Sequence, residues 1–422
     1  MQKIQSMIGK AEINRDLVLL LVIGGLYSLG IFMSNTFVNV YLWKQAGDYT
    51  TIAMYNLAIF LFQPLAFIVA GKMAKKVDRI IVLRLGVIFL SLFFLSVLLI
   101  GENSASYHFI LGSVLGVGYG FYWLAFNVLT FEITEPETRD FFNGFLGILQ
   151  SLGGMIGPVS SGFLIAKLPV NIGYTVIFAT SFVLFICAVT LSFFLNRRQA
   201  EGHFYVKQVV RQWKHNPHWR KILNAHVFQG LREGIFMFVI TIWVFLVTKS
   251  EFLLGIFNLY FYGISFVFYF LATKFIPPSK RKKAVLIGSI LLYGSLFIIL
   301  FRMNYLSLII YAMMIGMAYP MINVPYGSLT YDVIGKAWKA KELRVEYIVV
   351  REVFVNGGRI VSIVAFLFTI MISNPEKSIP VLLIIFGASH LFVYICIRDI
   401  HLTNLSNKDV IVKDQVSNEK NR

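Results

Sequence analysis

Residues 115–134 read LGVGYGFYWLAFNVLTFEIT, and residues 315–334 read IGMAYPMINVPYGSLTYDVI. At a constant offset Gly116 matches Gly316, Tyr119 matches Tyr319, and Leu129-Thr130 returns as Leu329-Thr330. Phe131-Glu132-Ile133 becomes Tyr331-Asp332-Val333, so aromatic, acid and aliphatic keep their order. Each copy is a long apolar segment that closes on an acid. Self-similarity at about half the chain length marks a duplicated architecture. The repeat predicts two related halves in which these stretches are corresponding elements.

The rest of the chain agrees with a duplicated membrane protein. Of its 422 residues, 57% are hydrophobic and 14% charged, and the mean hydropathy is +0.73. Soluble domains carry nearer a quarter charged residues, which excludes that class. Apolar runs of about 18 residues or more, enough to cross a bilayer, recur along the whole length. The net charge of +17 would suggest nucleic acid as partner in a soluble chain. Here the basic residues fall between apolar segments, so the lipid bilayer is the expected partner and nucleic acid is not. Cys187 and Cys396 sit inside apolar runs and predict two free buried thiols without a disulfide framework. Lys3, Lys10 and Arg15 precede a long apolar run with no small-residue cleavage site, which predicts a retained first span. The sequence holds no phosphate loop, metal-ligand cluster or nucleophile triad, so neither an enzyme nor a cofactor is expected.

Twelve helices are predicted near 17–42, 49–70, 80–100, 107–131, 141–166, 172–195, 220–247, 252–274, 284–301, 305–331, 346–372 and 379–397. The expected fold is an all-α membrane protein of two pseudo-symmetric six-helix bundles, 1–195 and 220–400. A central loop, 196–219, joins them, and a polar tail, 401–422, follows. An even count puts both termini on one side. The termini and the loops on that side hold 29 of the 38 Lys and Arg, and by the positive-inside rule they are cytoplasmic. The central loop interleaves Lys207, Arg211, Lys214 and Arg220 with Phe204, Tyr205, Trp213 and Trp219. That mixture suits a segment on an anionic membrane surface, or a solvated linker held inside by its charge.

Two six-helix halves, a basic central loop and a repeat across the halves resemble the major facilitator superfamily, in particular its twelve-helix bacterial antiporter and efflux members of unassigned substrate. In that family the loop after the second helix reads Gly-x-Leu-Ala-Asp-Arg-x-Gly-Arg-Arg. Here Gly71-Lys72-Met73-Ala74-Lys75-Lys76-Val77-Asp78-Arg79 stands in its place, with Lys75 where the family has its Asp and Asp78 where it has a Gly. Glu132 and Arg139 match the Glu-x6-Arg spacing of sugar-porter members at the end of the fourth helix. The expectation is that Glu132 and Asp332 meet cytoplasmic cations, from Arg79, Arg139 and Arg344, as a latch that closes in one conformation. The alternative is a fixed surface ion pair. In the fifth helix Gly144, Gly153, Gly157-Pro158 and Ser161-Gly162 resemble the superfamily's antiporter signature, Ser161 replacing a Gly. The resemblance implies export in exchange for a cation; small residues in a stripe also let helices pack backbone to backbone.

Ionisable residues inside a span are costly and point to function. The seventh predicted helix carries Arg232-Glu233 about midway, and the eleventh carries Glu346, Arg351, Glu352 and Arg359. Chain neighbours on a helix point about 100° apart, so pairing between the helices is expected: Glu233 with Arg351 or Arg359, and Glu352 with Arg232. Glu233 or Glu352 then serves as a proton site, or the pairs are permanent struts, or a cation holds an anionic substrate.

In the superfamily helices 1, 4, 7 and 10 line the path. The resemblance places Tyr27, Asn35, Tyr119, Tyr122, Trp123, Asn127, Tyr319, Asn323 and Tyr326 at a cavity, with Gln63 and Gln150 as further polar candidates. Pro320 and Pro325 are expected to interrupt the tenth helix. The expected function is secondary transport of a small organic solute by alternating access, with protons as coupling ion, in a monomeric plasma-membrane exporter. Uptake by symport, and a membrane sensor or lipid-handling protein without transport, are the alternatives.

Overall fold

The computed structural model describes residues 14–133, 136–196 and 202–401, without the side chains of 131, 136–141, 143, 144, 170 and 171. Arg139 and Gly144 of the predicted motifs therefore lie outside the described side chains, as do residues 1–13 and the tail from 402.

The membrane helices are α1 (Arg15–Ala46), α2 (Tyr49–Lys76), α3 (Arg79–Ile100), α4 (His108–Ile133), α5 (Pro136–Lys167) and α6 (Val170–Ser192) in the first half. In the second they are α7 (Pro217–Thr248), α8 (Glu251–Phe275), α9 (Arg281–Phe301), α10 (Tyr305–Gly335), α11 (Arg344–Ile372) and α12. The last runs Pro375–Gly387 and resumes after Ala388 as Ser389–Ile397. Short polar residues start many of them. Asn14, Asp48, Asp78, Asn216, Ser250, Asn304 and Asn374 each accept a hydrogen bond from a backbone N–H of the turn that follows, satisfying donors that a helix start leaves open. Gly47 ends α1 at φ 73°, a left-handed position that favours glycine.

Among the described residues eleven stretches are long and apolar enough to cross a membrane. One of them, Arg79–Thr130, contains α3 and most of α4, joined by the 3-10 turn Gly101–Tyr107, so the membrane helices among the described residues number twelve. Leu99, Phe301, Leu306, Phe368 and Met371 stand exposed on the outside. Surface of that kind is matched by lipid tails, and the chain is a multi-pass membrane protein.

Glycines explain why the repeat repeats. Within the first six helices α2 packs on α4, α3 on α4 and α6, and α1 on α5 and α6. Within the last six α8 packs on α10, α9 on α10 and α12, and α7 on α11 and α12. A Cβ added at Gly116 of α4 would lie 2.5 Å from the Ile59 carbonyl oxygen of α2, and one at Gly316 of α10 would lie 2.7 Å from that of Phe261 in α8. Gly86 of α3 likewise meets the Tyr122 backbone of α4, and Gly288 of α9 meets the Ala318 carbonyl of α10. The same close approaches are thus built twice. Gly116→Ala is expected to cost about 1–3 kcal/mol by forcing α2 from α4, seen as a lowered Tm of the detergent-solubilised protein. Gly357→Ala, where an added Cβ meets nothing within 4 Å, is expected to leave Tm near wild type. Equal Tm values for the two variants would refute the close-packing account.

Between the halves the main contacts are α2 on α11 and α5 on α8, with a smaller one of α1 on α7. The central loop contains a ten-residue helix, Val206–His215, packed on α7 and α11. Val209 is its buried residue, while Lys207, Arg211 and Lys214 face outward. One expectation is corrected here: α10 is not interrupted, for Pro320 and Pro325 both lie inside a continuous helix. Proline removes one backbone donor, but the neighbouring turns hold the helix together.

Candidate functional site

Between the bundles lies a cavity of about 510 Å³. Its residues run from Ile31 to Asn39 on α1 and from Arg232 to Thr241 on α7, so it sits at mid-membrane and toward the face opposite the basic loops. From the predicted set Asn35, Tyr119, Trp123, Tyr319 and Asn323 line it, as does Gln63. Tyr27, Tyr122, Asn127, Gln150 and Tyr326 are not among the lining residues. Tyr27 and Tyr122 stack on each other with centroids 3.9 Å apart, packing inside the first bundle. Tyr326 is buried with its ring 4.9 Å from His226.

The wall also draws on α8 and α11, which sequence reasoning did not assign to it, and on more of α2 than Gln63. Asn56 of α2 donates to Asn39 at 2.8 Å, and α8 contributes Asn258, Tyr262 and Tyr269. The stretch FNLYFYGISFVFYF of α8 is aromatic throughout, so periodicity alone does not distinguish its cavity side from its lipid side.

Three charges enter the cavity wall: Arg232, Glu233 and Arg359. Gly230 and Gly358 bring α7 and α11 together, since a Cβ on either would meet the other helix's carbonyl at Val355 or Val227. Across this seam Arg359 donates to Glu233 Oε2 from Nη2 at 2.6 Å and from Nε at 3.1 Å. Gln229 donates to the other carboxylate oxygen at 2.8 Å, and Arg359 Nη1 donates to Asn356 at 3.0 Å. Both side chains keep about one-sixth of their surface open, 16% for Glu233 and 17% for Arg359. This is a buried charge pair with access from the cavity.

The second expected pair is not formed. Glu352 takes its own neighbour, Arg351, at 2.6 Å, and neither lines the cavity. The 100° rule describes Cβ directions, while two long side chains can turn their tips together. Arg232 instead lies 4.1 Å from the Phe236 ring and 5.4 Å from the Tyr319 ring. Its Nη1 donates to the Tyr319 hydroxyl at 2.5 Å.

Of the predicted latch contacts, the one between Arg79 and Glu132 is present, and Asp332 meets Arg281. Arg79 lies 2.8 Å from Glu132, and Arg281 lies 2.7 Å from Asp332. Both pairs join helices of one bundle, α3 to α4 and α9 to α10, so neither spans the halves. Arg344 opens α11, and Asp78 caps α3, accepting from the Ile80 N–H at 2.7 Å. What spans the halves on the basic face is Lys75 of α2, 3.2 Å from Glu346 of α11. Glu346 is fully buried and also accepts from the Tyr205 N–H at 3.2 Å. Beside it Gly71 leaves room for Phe204 and Val349, each 3.0 Å from where a Cβ would stand. On the opposite face Lys44 of α1 meets Glu251 of α8 at 2.8 Å, and Tyr174 of α6 donates to the same carboxylate at 3.0 Å. Among the described residues each face of the membrane region is thus bridged by one lysine–glutamate pair between bundles.

The α5 stripe serves two interfaces. Gly153 and Gly157 face α1, where an added Cβ would lie 3.3 Å from the Leu29 nitrogen and 2.9 Å from that of Met33. Gly162 faces the Glu251 backbone of α8, and Gly255 of α8 reaches to 2.5 Å from the Pro158 carbonyl in the same sense.

Two six-helix bundles around a charged central cavity define the architecture of a secondary transporter. The Major Facilitator Superfamily profile matches residues 20–341, and the chain belongs to that family. It is 54% identical over 400 residues to the uncharacterized protein YqgE of Bacillus subtilis (strain 168), covering 95% of this chain and 93% of that protein. An uncharacterized protein in the sodM 3′ region of Geobacillus stearothermophilus is 56% identical over 202 residues, 48% of this chain and 94% of the relative. Among solved structures, a bacterial homologue of the iron transporter ferroportin in an outward-facing state is similar with a TM-score of 0.65 and 16% identity, covering 91% of this chain and 98% of that one. At that identity the likeness is one of fold.

Proposed function

We propose that this chain is a proton-coupled secondary transporter that exports a small organic solute, working as a monomer in the cell membrane by alternating access. In this reading the basic face and both termini are cytoplasmic, as the distribution of Lys and Arg favours. The observation that carries the coupling is the Glu233–Arg359 pair in the cavity wall. A proton taken up by Glu233 removes the charge that holds Arg359 and loosens the seam between α7 and α11. A group that is charged in one state and neutral in the other can bias a two-state equilibrium. Export rests on the α5 stripe, which resembles the antiporter signature.

Uptake by symport is the second reading, and the charge balance of the cavity favours it. Arg232 and Arg359 against Glu233 leave one net positive charge, so a proton and an anion can cross together. Proteoliposomes with an internal pH dye test both readings against a panel of neutral, cationic and anionic solutes. Solute entering as protons leave marks exchange, and both entering marks symport. Solute flux with no proton movement rejects the coupling.

A further inference from the structure

We infer that the cavity recognises an anionic group, a carboxylate or a phosphate, through Arg232. The inference rests on the transport reading above and adds the charge class of the solute. Arg232 is 1% exposed and lines the cavity. Its Nη1 donates to the Tyr319 hydroxyl, the Tyr311 hydroxyl also lies within its reach, and its Nε is buried without a partner. Among the described residues no carboxylate lies within ion-pair distance of it. Glu233, its chain neighbour, gives its oxygens to Arg359 and Gln229.

A buried guanidinium without a counter-ion is costly, and structures retain one where a carboxylate or other anion completes it. The rings of Phe236 and Tyr319 lie 4.1 Å and 5.4 Å from the group, cation–π contacts that hold it at the cavity wall, and the unpartnered Nε is the donor an anionic oxygen would take. Among the described lining residues Glu233 is the one carboxylate, and Arg359 holds it. Its other polar wall residues include the amides Asn35, Asn56, Gln63, Asn258 and Asn323, which suit neutral parts of a ligand. Among the described residues the three charges are arranged as one closed pair and one cation without a carboxylate partner.

A charge series on a single skeleton tests this with purified full-length protein. Benzoate, phenyl phosphate, benzamide and benzylamine are compared for thermal stabilisation. Benzoate or phenyl phosphate is expected to raise Tm by about 2 °C or more at saturation, and whichever of them does so names the acid. Benzamide and benzylamine are expected to leave Tm unchanged. Arg232→Gln is expected to abolish the shift and Arg232→Lys to keep part of it. The inference is overturned if the neutral or cationic probe stabilises as well as the anions, if no anion stabilises, or if R232Q retains the shift. The series on the unaltered protein decides the matter even where R232Q does not fold. Anion stabilisation without solute-driven proton movement would leave the site standing and reject the transport coupling. Proton movement driven by a neutral solute alone would do the reverse.

Discussion

Glu233→Gln is expected to reduce solute-driven proton movement in proteoliposomes to the level of empty liposomes, while Glu352→Gln keeps it. Glutamine preserves the shape and the hydrogen-bonding capacity of residue 233 but cannot take a proton. Glu352 has the same chemistry, yet it is turned to Arg351 away from the cavity, so a solute has no direct purchase on it. The comparison therefore separates position from residue type. Removing one partner of a buried pair also destabilises, by about 3 kcal/mol at the low end of the usual range, because the Arg359 charge loses its carboxylate. The double variant Glu233→Gln with Arg359→Gln controls for that: it is expected to regain stability without regaining coupling. Wild-type proton flux in Glu233→Gln would remove Glu233 from the mechanism.

Reversing one charge at the basic face is expected to open that face. In Glu346→Lys two cations meet where Lys75 and a fully buried carboxylate were paired. Loss of about 3 kcal/mol of cross-bundle stabilisation corresponds to a shift of roughly 100-fold in the population of the open form. A cysteine at Val349, buried beside Gly71, reports it in a background lacking Cys187 and Cys396. Its alkylation by a polar maleimide is expected to speed up in Glu346→Lys and to return toward the original rate in the swapped pair Lys75→Glu with Glu346→Lys. Unchanged labelling in the single variant, or no recovery in the swap, would show that the pair is not a closure.

The fold was legible because its signals are local and repeated. Apolar length gave the helices, loop charge gave the two faces, and the matched Gly116 and Gly316 reflect one packing solution used twice. An offset two residues longer would have found more: Arg79 and Gly86 of α3 recur as Arg281 and Gly288 of α9, and Arg281 is the partner Asp332 uses. The site was harder to read for physical reasons. Lys75 and Glu346 are far apart in the chain, and nothing local to either indicates the other. Arg351 and Glu352 pair through flexible side-chain tips that helical geometry does not fix. Arg359 and Glu233 were legible as buried opposite charges on two helices, but only the glycine seam decides which cation is close enough.

The Arg79–Glu132 and Arg281–Asp332 pairs tie helices inside a bundle, whereas Lys75–Glu346 and Lys44–Glu251 tie bundle to bundle. All three cavity charges belong to the second bundle. A solute gripped by them would keep its bearings relative to that bundle throughout the cycle. The amides of the first bundle would sweep past it like a shutter past a fixed lens. Distances from a bound ligand to the second bundle should then stay constant between the two states, and those to Asn35 and Gln63 should carry the change.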